Sequence, residues 1–359
     1  GITVGEALSL GPESDKAVVA GMVNNELRSL SYELRIRAAV RPVYLESPEG
    51  QRVYRRSLCF LLAVAVSRAF PKRRLVIGHS LGNSYFYLFD SEPTTEEDLV
   101  LVRRTFDSLV EQNLVIQRDV TSYEEALHYF ETHGMSESAR LLKGRNDSEI
   151  PIYRCGDTMD ISHGPLVDRT GTLAYYRLQT YGHGFLLEFP KEDEPTVVRE
   201  ENRSTMLFGI YRQYKEWGRI LKLSSVGQLN ERVEQGGIKE FIRVNEALHN
   251  KRIAETADEI VDKESKRLIL IAGPSSSGKT TFTKKLAVQL TVLGVEPVMV
   301  SVDDYFLPRE ETPLDEEGNY DFENVRALDI DLLNRDVTNL LRGEEVELPS
   351  FDFKAGMRQ

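Results

Sequence analysis

The apolar positions of this 359-residue chain change period along its length. Residues 1–50 hold short alternating stretches, "AVVAGMVNNELRSL" and "LRIRAAVRPVYL", and the polar "VNNEL" between apolar runs predicts a tight turn in a small β-rich module. "ESPEGQ" reads as a linker. From Val53, "YRRSLCFLLAVAVSRAF" has helical spacing until Pro71, and "RLVIGHSLGNSYFYLFD" reads as strand, glycine turn, strand. These open an α+β domain expected over residues 51–223. Residues 224–264 are polar and helical, broken only at Gly236 and Gly237, and read as a connector with one apolar face. Over 265–359 the texture changes again: an unbroken apolar run, a glycine-rich turn, a helix, then a second apolar strand, "EPVMVSVDDYF". That β-turn-α-β order predicts an α/β domain with a parallel sheet buried on both faces. The expected fold is therefore multidomain.

Composition narrows the class. At 41% apolar and 28% charged residues the chain is ordinary for a soluble globular protein. Its longest apolar run, residues 58–66, is far shorter than the roughly 20 residues a membrane-crossing helix needs. No charged-then-apolar leader follows Gly1, so a cytoplasmic protein with a trimmed start is expected. Cys59 and Cys155 form neither a disulfide framework nor a zinc pattern, and fit free core thiols in a reducing compartment. The net charge of -12 is uneven: residues 301–359 carry 16 Asp or Glu against 6 Lys or Arg. Residues 35–74 carry ten basic residues (Arg35, Arg37, Arg41, Arg52, Arg55, Arg56, Arg68, Lys72, Arg73, Arg74) against Glu46 and Glu49. Such a run is open to two readings, RNA phosphates as partner or a solvated or docking face.

The strongest chemical signal is Gly273-Pro-Ser-Ser-Ser-Gly278-Lys279-Thr280, a complete G-x-x-x-x-G-K-[ST] pattern with an expected strand before it and a helix after it. Glycine lets the backbone bend tightly and approach a nucleotide, so that successive N–H groups meet phosphate oxygens. The helix beginning near Lys279 adds its positive N-terminal end. Gly273, Ser275, Ser276, Ser277, Gly278, Lys279, Thr280 and Thr281 are the expected ATP-binding residues. Within that set Lys279 would reach the β- and γ-phosphates, and the Thr280 hydroxyl would ligate Mg²⁺. The next strand ends at "SVDDYF", placing Asp303 and Asp304 where open α/β sheets bind ligands. A carboxylate there can take a proton from an attacking hydroxyl, and of two adjacent residues on a strand one faces the site.

With these motifs in hand, residues 266–359 resemble the start of the uridine kinase and phosphoribulokinase family: "GPSSSGKTT", "SVDDYF", "YDFENVRALD" and "LPSFDF" follow the family's order and spacing. The resemblance implies that Asp303, with Lys279, is catalytic and activates the acceptor hydroxyl. It implies that Tyr305 and Phe306 line a nucleoside pocket, and that Glu323 stands where nucleoside kinases keep an aspartate for the ribose hydroxyls. Where uridine kinases read the pyrimidine with a tyrosine and, five residues later, a histidine, this chain has Phe351 and Gly356. Stacking at Phe351 survives and two hydrogen-bonding groups are gone, which leaves the acceptor open. The family's domain runs to about 200 residues by that resemblance. A kinase domain cut short, inactive as an isolated chain, is therefore expected.

The front also carries resemblances. Residues 1–50 resemble the TGS domain, a β-grasp module of threonyl-tRNA synthetases and some GTPases, most visibly in "AVVAGMVNNELRSLSYEL". Residues 51–223 are similar to the second additional domain of threonyl- and alanyl-tRNA synthetases, an editing domain, through "RRSLCFLL", "VIGHSLGNSYFYLFD" and "DISHGPLVDRTG". The synthetase domains keep H-x-x-x-H and C-x-x-x-H there. This chain has Arg56 and Phe60, then Ser162 and Leu166, so no ligand set remains for editing hydrolysis. His79, His163 and His183 lie near the same motifs without ligand spacing. Two function classes follow: ATP-dependent phosphoryl transfer to a hydroxyl of a small molecule such as a nucleoside, or an RNA-binding, translation-linked protein with ATP as regulatory ligand. A homo-oligomer is compatible with either.

Overall fold

The computed structural model describes residues 1–11, 16–90, 92–145, 147–200, 205–262, 266–274 and 276–358. They form two compact units, Gly1–Gln235 and Gly236–Gln359.

The first unit opens with β1 (Ile2–Thr3), α1 (Val4–Ser9), β2 (Val18–Val23), β3 (Glu26–Arg28), β4 (Glu33–Leu34) and β5 (Val40–Tyr44). β3, β2 and β5 make an antiparallel sheet with β2 in the middle. Asn24 and Asn25 turn the β2–β3 hairpin with φ of 46° and 68°. Two consecutive left-handed residues match the strands' twist, and Asn tolerates that conformation. α2 (Pro48–Ala69) follows at once. The supposed linker "ESPEGQ" is in fact its start: the Ser47 hydroxyl accepts from Gly50 N at 3.1 Å, and Pro48 takes the first helical position, where its missing N–H costs nothing.

α2 is the hub. Val53, Leu58, Leu61, Leu62, Val64 and Ala65 are all buried, so the helix is covered on nearly every side. It packs on β2, on β5 and on α3 (Glu96–Glu111). Its polar members are tied down: Tyr54 Oη accepts from Tyr175 N at 2.8 Å, and Ser57 Oγ accepts from Val167 N at 2.9 Å. β6 (Leu75–Ser80) and β7 (Ser84–Phe89) form the predicted hairpin. They join β12 (Gly184–Glu188) and β11 (Arg177–Tyr181) in a four-stranded antiparallel sheet of order β11-β12-β7-β6. A second antiparallel sheet, β10-β9-β8, comprises β8 (Gln117–Ser122), β9 (Glu149–Cys155) and β10 (Thr158–Asp160). α4 (Tyr123–Thr132) and α5 (Ser136–Lys143) cover it around Phe130 and Leu142. α6 (Thr205–Ile220) and α7 (Val226–Glu234) complete the unit.

In the second unit α8 (Ile238–Asp262) packs on α9 (Lys279–Val292) through Ile253, Ala257, Leu286 and Leu290. α10 (Ile330–Arg342) and the short hairpin of β13 (Phe351–Asp352) and β14 (Met357–Arg358) follow. The expected parallel sheet is not formed. Every ladder among the described residues is antiparallel, and the two apolar stretches, 266–274 and 295–301, run without ladder partners. Leu270 is 83% exposed and Val298 65%. The reason is nonlocality: a strand buried on both faces needs neighbours at both edges, and these two stretches do not pair with each other. The helix between them needs only its own residues and α8. No helix among the described residues is long and apolar enough to cross a membrane.

Candidate functional site

The phosphate cradle is built by local chain geometry. Ser276 and Gly278 take left-handed φ of 56° and 87°, so the backbone reverses direction around Ser277. A Cβ at Gly273 would stand 2.9 Å from Ser277 Oγ, so the exposed serine side chain would have to turn away to admit one. α9 then begins at Lys279 with Gly278 as its N-cap and no side-chain cap. Its first amides are thereby left for an outside acceptor, at the end where the helix dipole favours an anion. The Lys279 ammonium donates to Gly273 O at 2.9 Å and Pro274 O at 3.0 Å, bracing the loop at its mouth. Thr280 and Thr281 are exposed, and neither hydroxyl has a hydrogen-bond partner among the described residues. Uncapped amides, a lysine at the loop and a free threonine hydroxyl are the donor set that MgATP requires. Ser275 lies outside the described residues.

The two aspartates at 303 and 304 have separate fates. Both sit in a 3-10 turn, Val302–Tyr305. Asp304 Oδ1 accepts from Phe351 N at 3.1 Å and so fastens β13 to the turn. Asp303 is exposed, with no hydrogen bond or ion pair among the described residues. Of the two carboxylates it is the one left without a partner among the described residues.

Beside this turn stands a group of aromatic rings. Phe306 lies 6.0 Å from Phe322, 5.8 Å from Phe351 and 6.2 Å from Phe353, and Phe351 and Phe353 meet edge to face at 5.0 Å. Phe351 is buried while Phe322 and Phe353 are exposed, so the cluster presents apolar ring surface to solvent. Of the residues expected to line a pocket, Phe306 and Phe351 are brought together here. Tyr305 is not: it is 1% exposed, and its hydroxyl donates to Asp336 Oδ2 at 3.2 Å. Burial, with the Asp336 charge adding to it, pushes the Tyr305 phenol up to about 12. Tyr305 thus anchors the turn to α10. Glu323 is exposed next to Phe322, its carboxylate without a partner among the described residues. Sequence reasoning missed Asp336 and Arg309. Arg309 accounts for Gly356, since a Cβ at Gly356 would lie 3.1 Å from its Nε and the local φ is +69°. No local sequence signal marks either residue.

In the first unit, the positions that hold ligands in the resembling editing domains are filled by packing. Phe60 and Leu166 belong to the main core. Arg56 Nη1 donates to Pro165 O at 3.2 Å, and Ser162 Oγ donates to Gly164 O at 2.9 Å. Among the described residues no group of three His, Cys, Asp or Glu side chains is placed to hold a metal. His79 instead stacks on Tyr211 of α6 at 3.9 Å. Burial, then the Lys215 charge, lowers its pKa. Much of the basic run is also occupied within the chain. Arg35, Arg52, Arg73 and Arg74 pair with Glu33, Glu49, Asp98 and Asp90, and Arg55 lies over the Phe189 ring at 4.7 Å.

Comparison with known proteins separates the same two regions. The chain is 34% identical over 174 residues to a threonine–tRNA ligase of Carboxydothermus hydrogenoformans, covering 48% of this chain and 27% of that protein. It is 30% identical over 266 residues to that of Methylococcus capsulatus, covering 74% and 39%, and 33% identical over 181 residues to that of Symbiobacterium thermophilum, covering 50% and 28%. The matched length is thus well under half of these relatives, and it lies in the N-terminal region of this chain. Residues 268–359, which hold the cradle, Asp303 and the aromatic cluster, match the model of the Phosphoribulokinase / Uridine kinase family.

Proposed function

We propose that the protein transfers the γ-phosphoryl group of MgATP to a hydroxyl of a nucleoside-like small molecule. The observation that carries this reading is the division of labour between adjacent aspartates. Asp304 is spent on holding Phe351, which leaves Asp303 exposed and unpaired one residue away, on the turn that leads into the aromatic cluster. In this reading the amides at the start of α9 and Lys279 hold the phosphates, and the Thr280 hydroxyl takes the metal of the substrate. Asp303 accepts the proton of the attacking hydroxyl. Phe306, Phe351 and their ring neighbours stack on a planar base, and Glu323 meets sugar hydroxyls. Positioning and electrostatic stabilisation supply most of the rate in such transfers.

The isolated 359-residue chain is not expected to turn over, because the stretches flanking α9 have no ladder to fix the cradle against the Asp303 turn. Kinase-like turnover, on the order of 1 per second or more, by this chain would refute that part. The transfer itself is tested by ATP consumption against a panel of nucleosides in a form of the protein whose sheet beside α9 is formed, with Lys279→Ala as control. Activity unchanged in Lys279→Ala would place the chemistry elsewhere. The alternative, an RNA-binding protein regulated by ATP, draws support from the similarity to tRNA ligases. Its mark would be tRNA binding that falls steeply with salt.

A further inference from the structure

A cavity of about 170 Å³ opens where the N-terminal module meets the second antiparallel sheet, inside the first unit. Arg28, Ser29 and Tyr32 line it from the β3 side, Arg118 and Tyr153 from β8 and β9, and Ser162 from the loop after β10. No acidic side chain is among its walls. The ladder register sets Arg118 directly opposite Tyr153, so the two side chains leave the sheet on the same face. Arg118 has no carboxylate partner among the described residues. The Arg28 guanidinium is held over the Tyr32 ring, 4.9 Å from its centre, and pairs with exposed Glu26 outside the cavity. Behind the wall, Arg56 is packed so closely on Gly164 that a Cβ there would stand 2.3 Å from its Nη1. Burial pushes the Tyr153 phenol up, and its hydroxyl is already engaged by Ser29 and the Leu166 backbone.

We infer that this cavity binds the head group of a phosphate monoester. Of the two forks that line it, Arg28 is partly engaged by Glu26 and Arg118 meets no carboxylate among the described residues, so the cavity keeps a surplus of N–H donors, with a third guanidinium, donating to Pro165 O, behind Gly164. A dianionic group with three terminal oxygens matches that surplus. The volume suits a phosphate with part of its carrier, and is below the range of pockets that enclose whole drug-sized ligands. A small, partly open concavity also differs from the extended basic track that follows a nucleic-acid backbone.

The test must keep this site apart from the cradle of the second unit, which meets phosphates too. Thermal unfolding of the full chain carrying Lys279→Ala is followed with inorganic phosphate in a non-anionic buffer, with acetate at equal ionic strength as the carboxylate arm. Phosphate should raise the transition of the first unit and acetate should not. Adding Arg118→Gln, an exposed change that leaves folding intact, should weaken the apparent phosphate affinity by about tenfold or more. Gly164→Ala, which displaces Arg56, should weaken it as well. Three outcomes overturn the inference: a phosphate response lost with Lys279→Ala alone, one that survives Arg118→Gln unchanged, or an equal response to acetate. Retention by an RNA oligonucleotide without any effect of inorganic phosphate overturns it too, in favour of a polymer-binding surface.

Discussion

Arg73 offers the sharpest test of whether the basic run serves the fold or a partner. Its Nη1 donates to Asp98 Oδ1 at 2.8 Å, and both side chains are mostly covered, at 19% and 16% exposure. The same guanidinium lies 3.8 Å from the centre of the Phe89 ring and 5.1 Å from that of Phe70. Arg73→Ala removes one well-covered ion pair and a cation–π contact. The contact contributes about 0.5–2 kcal/mol, and breaking a fully buried pair costs about 3–5. Asp98 softens the loss because its carboxylate keeps the capping bond it accepts from Thr95 N. A net loss of about 2–3 kcal/mol is expected, or roughly 1 M in urea midpoint for an m-value of about 2 kcal/mol/M. The effect carries a pH signature. Burial opposes ionisation of Asp98, but the Thr95 and Arg73 hydrogen bonds outweigh it and hold the carboxyl below its usual range. Stability from a depressed carboxyl is complete above the unfolded value and lost as pH falls below it, so the gap between wild type and Arg73→Ala should narrow under about pH 4. A loss below about 0.5 kcal/mol at pH 7, or weakened tRNA binding without destabilisation, would refute this reasoning and make Arg73 a contact residue.

Three further outcomes are expected. Asp304→Ala should cost about 1–2 kcal/mol in the second unit by releasing Phe351 N, whereas Asp303→Asn should leave its unfolding unchanged and abolish phosphoryl transfer wherever the wild type shows it; equal effects of the two on stability would erase the distinction. His79 has a lowered pKa in the fold, so the unfolded chain binds its proton more readily and stability should fall as pH drops through about 6.5. Asp160, pushed up to about 6 by burial, acts in the opposite sense, so the difference between wild type and His79→Phe isolates the histidine; a difference that does not change with pH would count against a buried neutral ring. Gly50→Ala should cost about 3 kcal/mol or more in chemical unfolding, since a Cβ there would lie 1.9 Å from the Tyr44 carbonyl oxygen; a near-neutral substitution would mean that α2 does not seat on β5 as described.

Legibility followed range along the chain. The β2–β3 turn was readable because Asn-Asn between apolar runs is a local device, and so was the cradle, whose glycines, lysine and helix start span eight residues. The start of α2 was misread although the signal was present: Ser47 before Pro48 is an N-cap followed by a first-position proline. The separate roles of Asp303 and Asp304 were half legible, because alternation along a strand says that one faces the site but not which. The answer needed Phe351, 47 positions away. The role of Tyr305 was not legible, since Asp336 lies a helix away, and no periodicity foretells which helical carboxylate will meet a buried phenol.

The absence of the expected sheet from the second unit bears on chemistry. Residues 266–274 and 295–301 have the composition of strands covered on both faces, yet they expose Leu270 and Val298 and make no ladder. The parts of the site are nevertheless in place: the left-handed residues of the loop and the uncapped helix start, which need only near neighbours, and the Asp304–Phe351 bond and the ring cluster, which do not. Phosphoryl transfer asks for more than the presence of these parts, because a displacement of about 1 Å between reacting groups can cost a hundredfold in rate. The ladder is what would fix the cradle's loop relative to the turn that carries Asp303, since both are continuations of the strands it would contain. Nucleotide affinity and turnover should therefore separate in this chain, with stabilisation by MgATP surviving while transfer does not.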